Sequence, residues 1–315
     1  MKIKNVVVAG GGVLGSQIAF QTAYSGFNVT IWLRSEGSIT RTKPKLDELK
    51  ETYKKAIELM DTPEGKTPVN WCRGLAEYET FNKEECLKKV DDAYNNIKIE
   101  LDLSKAIKDC DLLIESMAEI FDEKIAFYKK LAPLLEEKTI VVTNSSTLLP
   151  SKLAKATGRC EKFLSLHFAN HIWKNNTAEV MSQPKTQEEF FNEVVEFASA
   201  IKMVALPLHK EKSGYLLNSM LIPLLFSGLD LYVNGISDPE SIDKAWKLGT
   251  GAPNGPFEIL DIVGLQTAYN IVLTYVKIPS FLAPYNFKAM EKVLKEYIDK
   301  GKLGKNFGEG FYKYN

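Results

Sequence analysis

The sequence is poor in the residues that usually declare a chemistry. Histidine occurs three times in 315 residues, at His167, His171 and His209, and cysteine four times. Cys72, Cys86, Cys110 and Cys160 form no CxxC pair and no zinc-like spacing, so no metal is expected and the thiols read as reduced and structural. Neither charge sign dominates: Lys+Arg and Asp+Glu are 40 each, which leaves no global basic excess for nucleic acid and no acidic tail. No apolar stretch is long enough to span a membrane. The run after "MKIKN" is too short for a signal peptide and meets glycine at once, which makes the cytoplasm the expected compartment. Internal repeats and low-complexity tracts are also lacking. What remains is ordinary globular material, 45% hydrophobic and 25% charged, in a length that suits two domains.

Strand and helix patterns alternate through the first half. Short apolar runs at 6–9, 29–33, 112–117, 140–143 and 163–167 have the continuous character of parallel strands covered on both faces. Helical stretches separate most of them, and the expectation is an α/β fold, a Rossmann-type doubly wound parallel sheet. Residues 40–100 break the rhythm. Leu46, Leu49, Tyr53, Ile57 and Met60 form one apolar stripe, and Leu87, Val90, Tyr94 and Ile97 form a second. Two such narrow seams with charged backs predict an antiparallel helical hairpin projecting from the sheet. It is either a stiffening insertion or a clamp whose lysines (Lys43, Lys45, Lys50, Lys54, Lys55) meet an anionic ligand. The character changes near Leu206-Pro207, which places a dinucleotide-binding domain at 1–207 and a helical domain at 208–315. The very apolar stretch 215–233 suggests deep burial or a subunit interface, and with 256–275 it suggests a homodimer through the helical domain.

"VVVAGGGVLGSQIAF" (6–20) is a strand, a glycine turn and a helix start. Gly10, Gly12 and Gly15 fit GxGxxG: tight turn, close approach of a pyrophosphate, and helix–strand packing. The turn residues Val13 and Leu14 open the helix, whose N-terminus offers unpaired N–H groups to phosphates. An acid that would bind the adenosine ribose is expected at the end of the second strand, but Leu33-Arg34-Ser35 stands there. An acid would repel a 2′-phosphate, whereas Arg34 pairs with one through its planar fork and Ser35 donates a hydroxyl. NADP is therefore expected ahead of NAD; the alternative is that Arg34 is a surface cation and NAD binds with less help from the ribose.

His167 ends a predicted strand, at the sheet edge where α/β proteins bind ligands. Ser146 also follows a strand, Glu179 lies twelve residues beyond His167, and Asn218 opens the second domain. Hydride transfer to and from a secondary alcohol needs a base on the hydroxyl, a carboxylate to orient that base, and donors to fix the oxygen. These four residues can supply them.

Three stretches carry a resemblance. "KLGTGAPNGPFEILDIVGL" (247–265), "GKNFGEGFYKY" (304–314) and "IESMAEIFDEK" (114–124) resemble signatures of the L-3-hydroxyacyl-CoA dehydrogenase family, and the likeness runs along nearly the whole chain. The resemblance implies that His167 is the catalytic histidine, Glu179 its carboxylate partner, Ser146 the serine on the substrate oxygen and Asn218 the asparagine from the helical domain. It places Glu119 and Lys124 at the nicotinamide end of the cofactor, with Asn144 beside them. It also strengthens the clamp reading, in which Lys50, Lys54 and Lys55 bind an acyl-CoA substrate.

Two further departures bear on substrate. His171 stands where the family usually has proline, which frees the loop beside the pocket, and Ser219 replaces a usual arginine. The alternatives to an acyl-CoA dehydrogenase are an enzyme for a free 3-hydroxy acid, such as a sugar acid or a hydroxylated betaine, and a non-catalytic cofactor-binding protein of the same fold.

Overall fold

The computed structural model describes residues 2–279 and 281–314. It comprises two compact units, the first ending at Leu216 and the second beginning at Leu217. Residues 208–216 thus stay with the first unit, beyond the division placed at Pro207 from sequence. Among the described residues no helix is long and apolar enough to cross a membrane.

The first unit is built on one eight-stranded sheet: β1 (Asn5–Ala9), β2 (Asn28–Trp32), β3 (Lys98–Glu100), β4 (Leu112–Glu115), β5 (Ile140–Thr143), β6 (Phe163–Phe168), β7 (Thr177–Met181) and β8 (Val204–Leu208). Their order is β3-β2-β1-β4-β5-β6-β7-β8. Every pairing is parallel except β6 with β7. The five strands expected from sequence are parallel, and the reversal falls at β7, which the sequence did not announce. Residues 169–176 are too few for the dozen or more that a parallel crossover needs, so the chain turns back on itself. Pro207, taken as the edge of a domain, lies in β8, where it faces Val180. β8 is an edge strand, and an edge tolerates a residue with no N–H.

Helices α1 (Val13–Tyr24), α2 (Glu36–Met60), α3 (Lys83–Asn96), α4 (Leu103–Ala106), α5 (Phe121–Leu131), α6 (Pro150–Ala154) and α7 (Glu188–Ala200) complete this unit. The α2–α3 hairpin does not project. It packs on α1 and shares the core of β1, β2, β4, β5 and β6, with Tyr53, Ile57, Met60 and Val90 fully buried. The physical reason lies in α1, which is buried on several sides and carries glutamine where a lone sheet helix would carry only apolar groups. Gln21 donates to Gly74 O and Ile201 O and accepts from the Tyr53 hydroxyl at 2.7 Å, so the polar group is satisfied only with the hairpin in place.

The second unit holds α8 (Leu217–Val233), α9 (Pro239–Thr250), α10 (Pro256–Val263), α11 (Leu265–Tyr275) and α12 (Phe287–Asp299) around Phe226, Leu229, Phe257, Leu260, Val272 and Met290. Two buried carboxylates join its sequence motifs. Asp261 accepts from Phe311 N and Tyr312 N, and Asp243 from Phe257 N, Glu258 N and the Tyr312 hydroxyl. Burial raises the pKa of both, against the hydrogen bonds they accept.

Candidate active site

The carboxyl ends of β1, β4 and β5 open on a cavity of about 520 Å³, a size suited to a small organic ligand. Its floor is the glycine turn. Gly10 has φ +119° and lies so close to β4 that a Cβ would sit 2.5 Å from Ser116 O. A Cβ on Gly15 would lie 2.2 Å from Gly10 O, so α1 can pack here only on glycine. Gly12 differs: a Cβ there would meet nothing within 4 Å. Its backbone therefore faces open cavity at the N-cap of α1, and exposed Val13 follows. This is the cradle a pyrophosphate requires, and the residues fit a dinucleotide. Sequence missed the reason for Gly11. A Cβ there would lie 2.1 Å from Thr42 Oγ1, which donates to Gly11 O at 3.1 Å and ties α2 to the turn.

Beyond β2, Leu33 is buried and Arg34, Ser38, Arg41, Thr42 and Lys45 line the cavity. Arg34 has one carboxylate neighbour, Glu123, at 3.4 Å. Ser35 is the N-cap residue of α2, bonded through its hydroxyl to Ser38, and is not part of the cavity wall. Arg41 was not singled out from sequence; it lies one helical turn beyond Gly37, and only the packing of α2 brings it to the rim.

Glu115, at the end of β4, is fully buried. Its carboxylate accepts from Lys124 Nζ at 2.6 Å, Met117 N at 2.7 Å, Thr143 Oγ1 at 2.8 Å and the Tyr128 hydroxyl at 2.9 Å. Four donors occupy its acceptor sites, which is what a buried charge demands. Lys124 is 1% exposed and is not in the cavity wall; it holds Glu115 and reaches Glu119 Oε2 at 3.5 Å. Glu119 does line the cavity. Its Oε1 accepts from Ser145 Oγ, Thr147 N and Thr147 Oγ1 at 2.5, 2.9 and 2.8 Å. Burial opposes ionisation of Glu119, but these hydrogen bonds and the Lys124 charge outweigh it and hold the carboxyl below its usual range. The loop 145–147 is thereby fixed, and it carries Ser146. Asn144, also in the wall, accepts from Phe168 N at 3.0 Å.

Ser146 Oγ lies 3.1 Å from His167 Nε2, and His167 Nδ1 lies 2.9 Å from Glu179 Oε2. An ionised carboxylate only accepts, so Nδ1 carries a proton toward Glu179 and Nε2 is the ring nitrogen turned toward Ser146. Leu216 N donates to the other Glu179 oxygen at 2.8 Å. His167 and Glu179 are 6% and 3% exposed. The imidazole stacks on Tyr215, centroids 4.4 Å apart and planes 12° off parallel, a contact with no sequence signal. His171 adopts φ +59°, and its N–H is held by Gln17 Oε1 at 2.9 Å.

Asn218 is the second residue of α8, half-buried, and belongs to the second unit. Lys50 and Lys54 both lie 2.9 Å from Asp91, inside the hairpin, and Lys50 also sits over the Tyr94 ring. Lys55 is exposed. None of the three lines the cavity; Lys45 does.

Comparison with known proteins gives a consistent likeness. Residues 5–212 match the family described as 3-hydroxyacyl-CoA dehydrogenase, NAD binding domain, and residues 214–314 match its C-terminal domain. The mitochondrial hydroxyacyl-coenzyme A dehydrogenase of Homo sapiens is 30% identical over 313 residues, 99% of this chain and 91% of that one. The 3-hydroxybutyryl-CoA dehydrogenase of Clostridioides difficile is 28% identical, covering 98% and 99%. Among solved structures, one described as substrate-directed dual catalysis of dicarbonyl compounds by diketoreductase is 48% identical over the full length of both chains, with a TM-score of 0.85.

Proposed function

The chain belongs to the 3-hydroxyacyl-CoA dehydrogenase family, and on that premise we propose that it interconverts a 3-hydroxy and a 3-oxo group with a nicotinamide cofactor, His167 carrying the proton. The observation that supports this most is the hydrogen-bonded line Ser146–His167–Glu179 beside the glycine-turn cavity. When bound, the nicotinamide supplies the hydride for reduction or accepts it in oxidation. His167 gives a proton from Nε2 to the carbonyl oxygen in one direction and takes it from the hydroxyl in the other. Glu179 holds the tautomer and stabilises the imidazolium, and Ser146 donates to the reacting oxygen.

NADP(H) is the cofactor favoured. Buried Leu33 offers no acid to a ribose, and Arg34, Arg41 and Lys45 give the same end of the cavity positive charge that suits a 2′-phosphate. For the substrate, the family's relatives favour a 3-oxoacyl-CoA. A second reading, a free dicarbonyl compound without CoA, is favoured by two observations: Lys50 and Lys54 are engaged with Asp91, and the full-length relative at 48% identity is a diketoreductase. The exposed Met220, Ile236 and Leu248 of the second unit support a homodimer.

The test is a matrix of initial rates, acetoacetyl-CoA and a free dicarbonyl ester, each with NADPH and NADH. Turnover of the thioester supports the acyl-CoA reading. Turnover of the free ester alone rejects it and leaves the second. A higher kcat/KM with NADH overturns the cofactor preference, and no turnover with any pair overturns the function.

A further inference from the structure

The four residues that end the first unit, 213–216, touch His167, Glu179 and both chain neighbours of Ser146. Ser213 Oγ donates to Thr147 O at 3.0 Å, and the Tyr215 hydroxyl donates to Ser145 O at 2.7 Å. The loop bearing Ser146 is thus gripped on both sides. The Tyr215 ring lies flat on the imidazole, and Leu216 N holds the Glu179 oxygen that His167 does not use. Gly214 and Tyr215 both have positive φ, +81° and +51°. For tyrosine that conformation is strained, and it persists because the contacts on either side fix it. Tyr215 is 1% exposed, and the ring has nowhere else to go.

We infer that the strap Ser213–Leu216 positions the catalytic line, with Tyr215 as the residue that sets the plane of the His167 imidazole. Glu179 restrains the ring at one nitrogen and leaves it free to swing about that bond. A parallel aromatic plane at 4.4 Å removes that freedom and keeps Nε2 aimed at Ser146. It also offers a π-face to the imidazolium formed when His167 takes a proton. The strap acts on the reaction through His167 and touches no reacting atom.

The inference rests on His167 as proton carrier, so its test pairs kinetics with a readout independent of turnover. The chain has three histidines, which makes the imidazole ¹⁵N signals of His167 assignable. Wild type and Tyr215→Phe are expected to show one tautomer, protonated at Nδ1, and kcat values within about threefold, since the ring stays and the hydroxyl, bonded to Ser145 O, touches no reacting atom. Tyr215→Leu is expected to keep Nδ1 protonated but to shift and broaden the Nε2 signal as it loses Ser146, with a kcat lower by about tenfold or more and the cofactor dissociation constant unchanged. Tyr215→Met fills similar volume without a ring and carries the same expectation should the leucine variant fail to fold. An unchanged ring signature, or an unchanged kcat, in the ringless variant overturns the inference. Failure of the function itself is recognised separately: His167→Gln would then keep its turnover, whatever Tyr215 does to the ring.

Discussion

His167 and Glu179 are directly opposed residues on the one antiparallel strand pair of the sheet, with Nδ1 and Oε2 2.9 Å apart. The reversal of direction between β6 and β7 creates the pair. Two residues twelve apart in sequence face each other across the ladder, with side chains on the same face. The His167–Glu179 geometry therefore rests on backbone register.

This register makes Glu179→Gln informative. The amide keeps the shape but offers one acceptor where two donors, His167 Nδ1–H and Leu216 N–H, need two. Its NH2 group turned toward Nδ1 would select the other tautomer and put a proton on Nε2. Turnover is expected to fall by about a hundredfold or more while the fold persists. Circular dichroism with initial-rate kinetics checks it; a variant within a few-fold of wild type would remove Glu179 from the orienting role.

The glycine turn separates binding from packing. Gly12 has φ −67° and open space, so Gly12→Ala is expected to keep the thermal midpoint and to weaken cofactor binding by about tenfold or more, since the methyl enters the cradle. Gly15→Ala meets backbone at 2.2 Å and is expected to destabilise the protein by about 1–3 kcal/mol. Thermal melts with and without cofactor distinguish the two; equal melting losses would contradict the assignment.

Glu119 predicts a pH signature. Its folded carboxyl lies below the usual 4.5, so its contribution to stability is complete above that value and is lost as pH falls through the folded value. The stability gap between wild type and Glu119→Gln is expected to be flat above about pH 5 and to narrow in more acid solution. Urea unfolding across that range measures it. A gap that stays constant to about pH 3 would show that Glu119 gains nothing from ionisation.

Legibility in the sequence followed chemical periodicity. The β1–turn–α1 unit announced itself because glycines of fixed spacing follow an apolar run and precede a helix. Ser146 and His167 were legible as polar residues at strand ends. β7 and β8 were not: Glu179 interrupts the apolar pattern of one, and Pro207 reads as a breaker until the sheet edge accommodates it. The hairpin was found from its stripes, but its docking depends on buried Gln21, a polar residue that no hydrophobic pattern marks. Lys124 was singled out for the cofactor, yet its ammonium lies buried against Glu115, because the carboxylate at the end of β4 needs a counter-charge. Lys50 and Lys54 look available on a helix back until α3 brings Asp91 against them. Tyr215 had no signal at all, being a single aromatic in an aperiodic turn.

The most direct test is His167→Gln, assayed for turnover alongside cofactor binding by fluorescence titration. The imidazole is the sole group in this account that moves a proton at Nε2, and glutamine retains polarity without a titrating nitrogen. The expected result is a loss of about a hundredfold or more in kcat with the cofactor dissociation constant unchanged. Turnover at the wild-type rate would contradict the account.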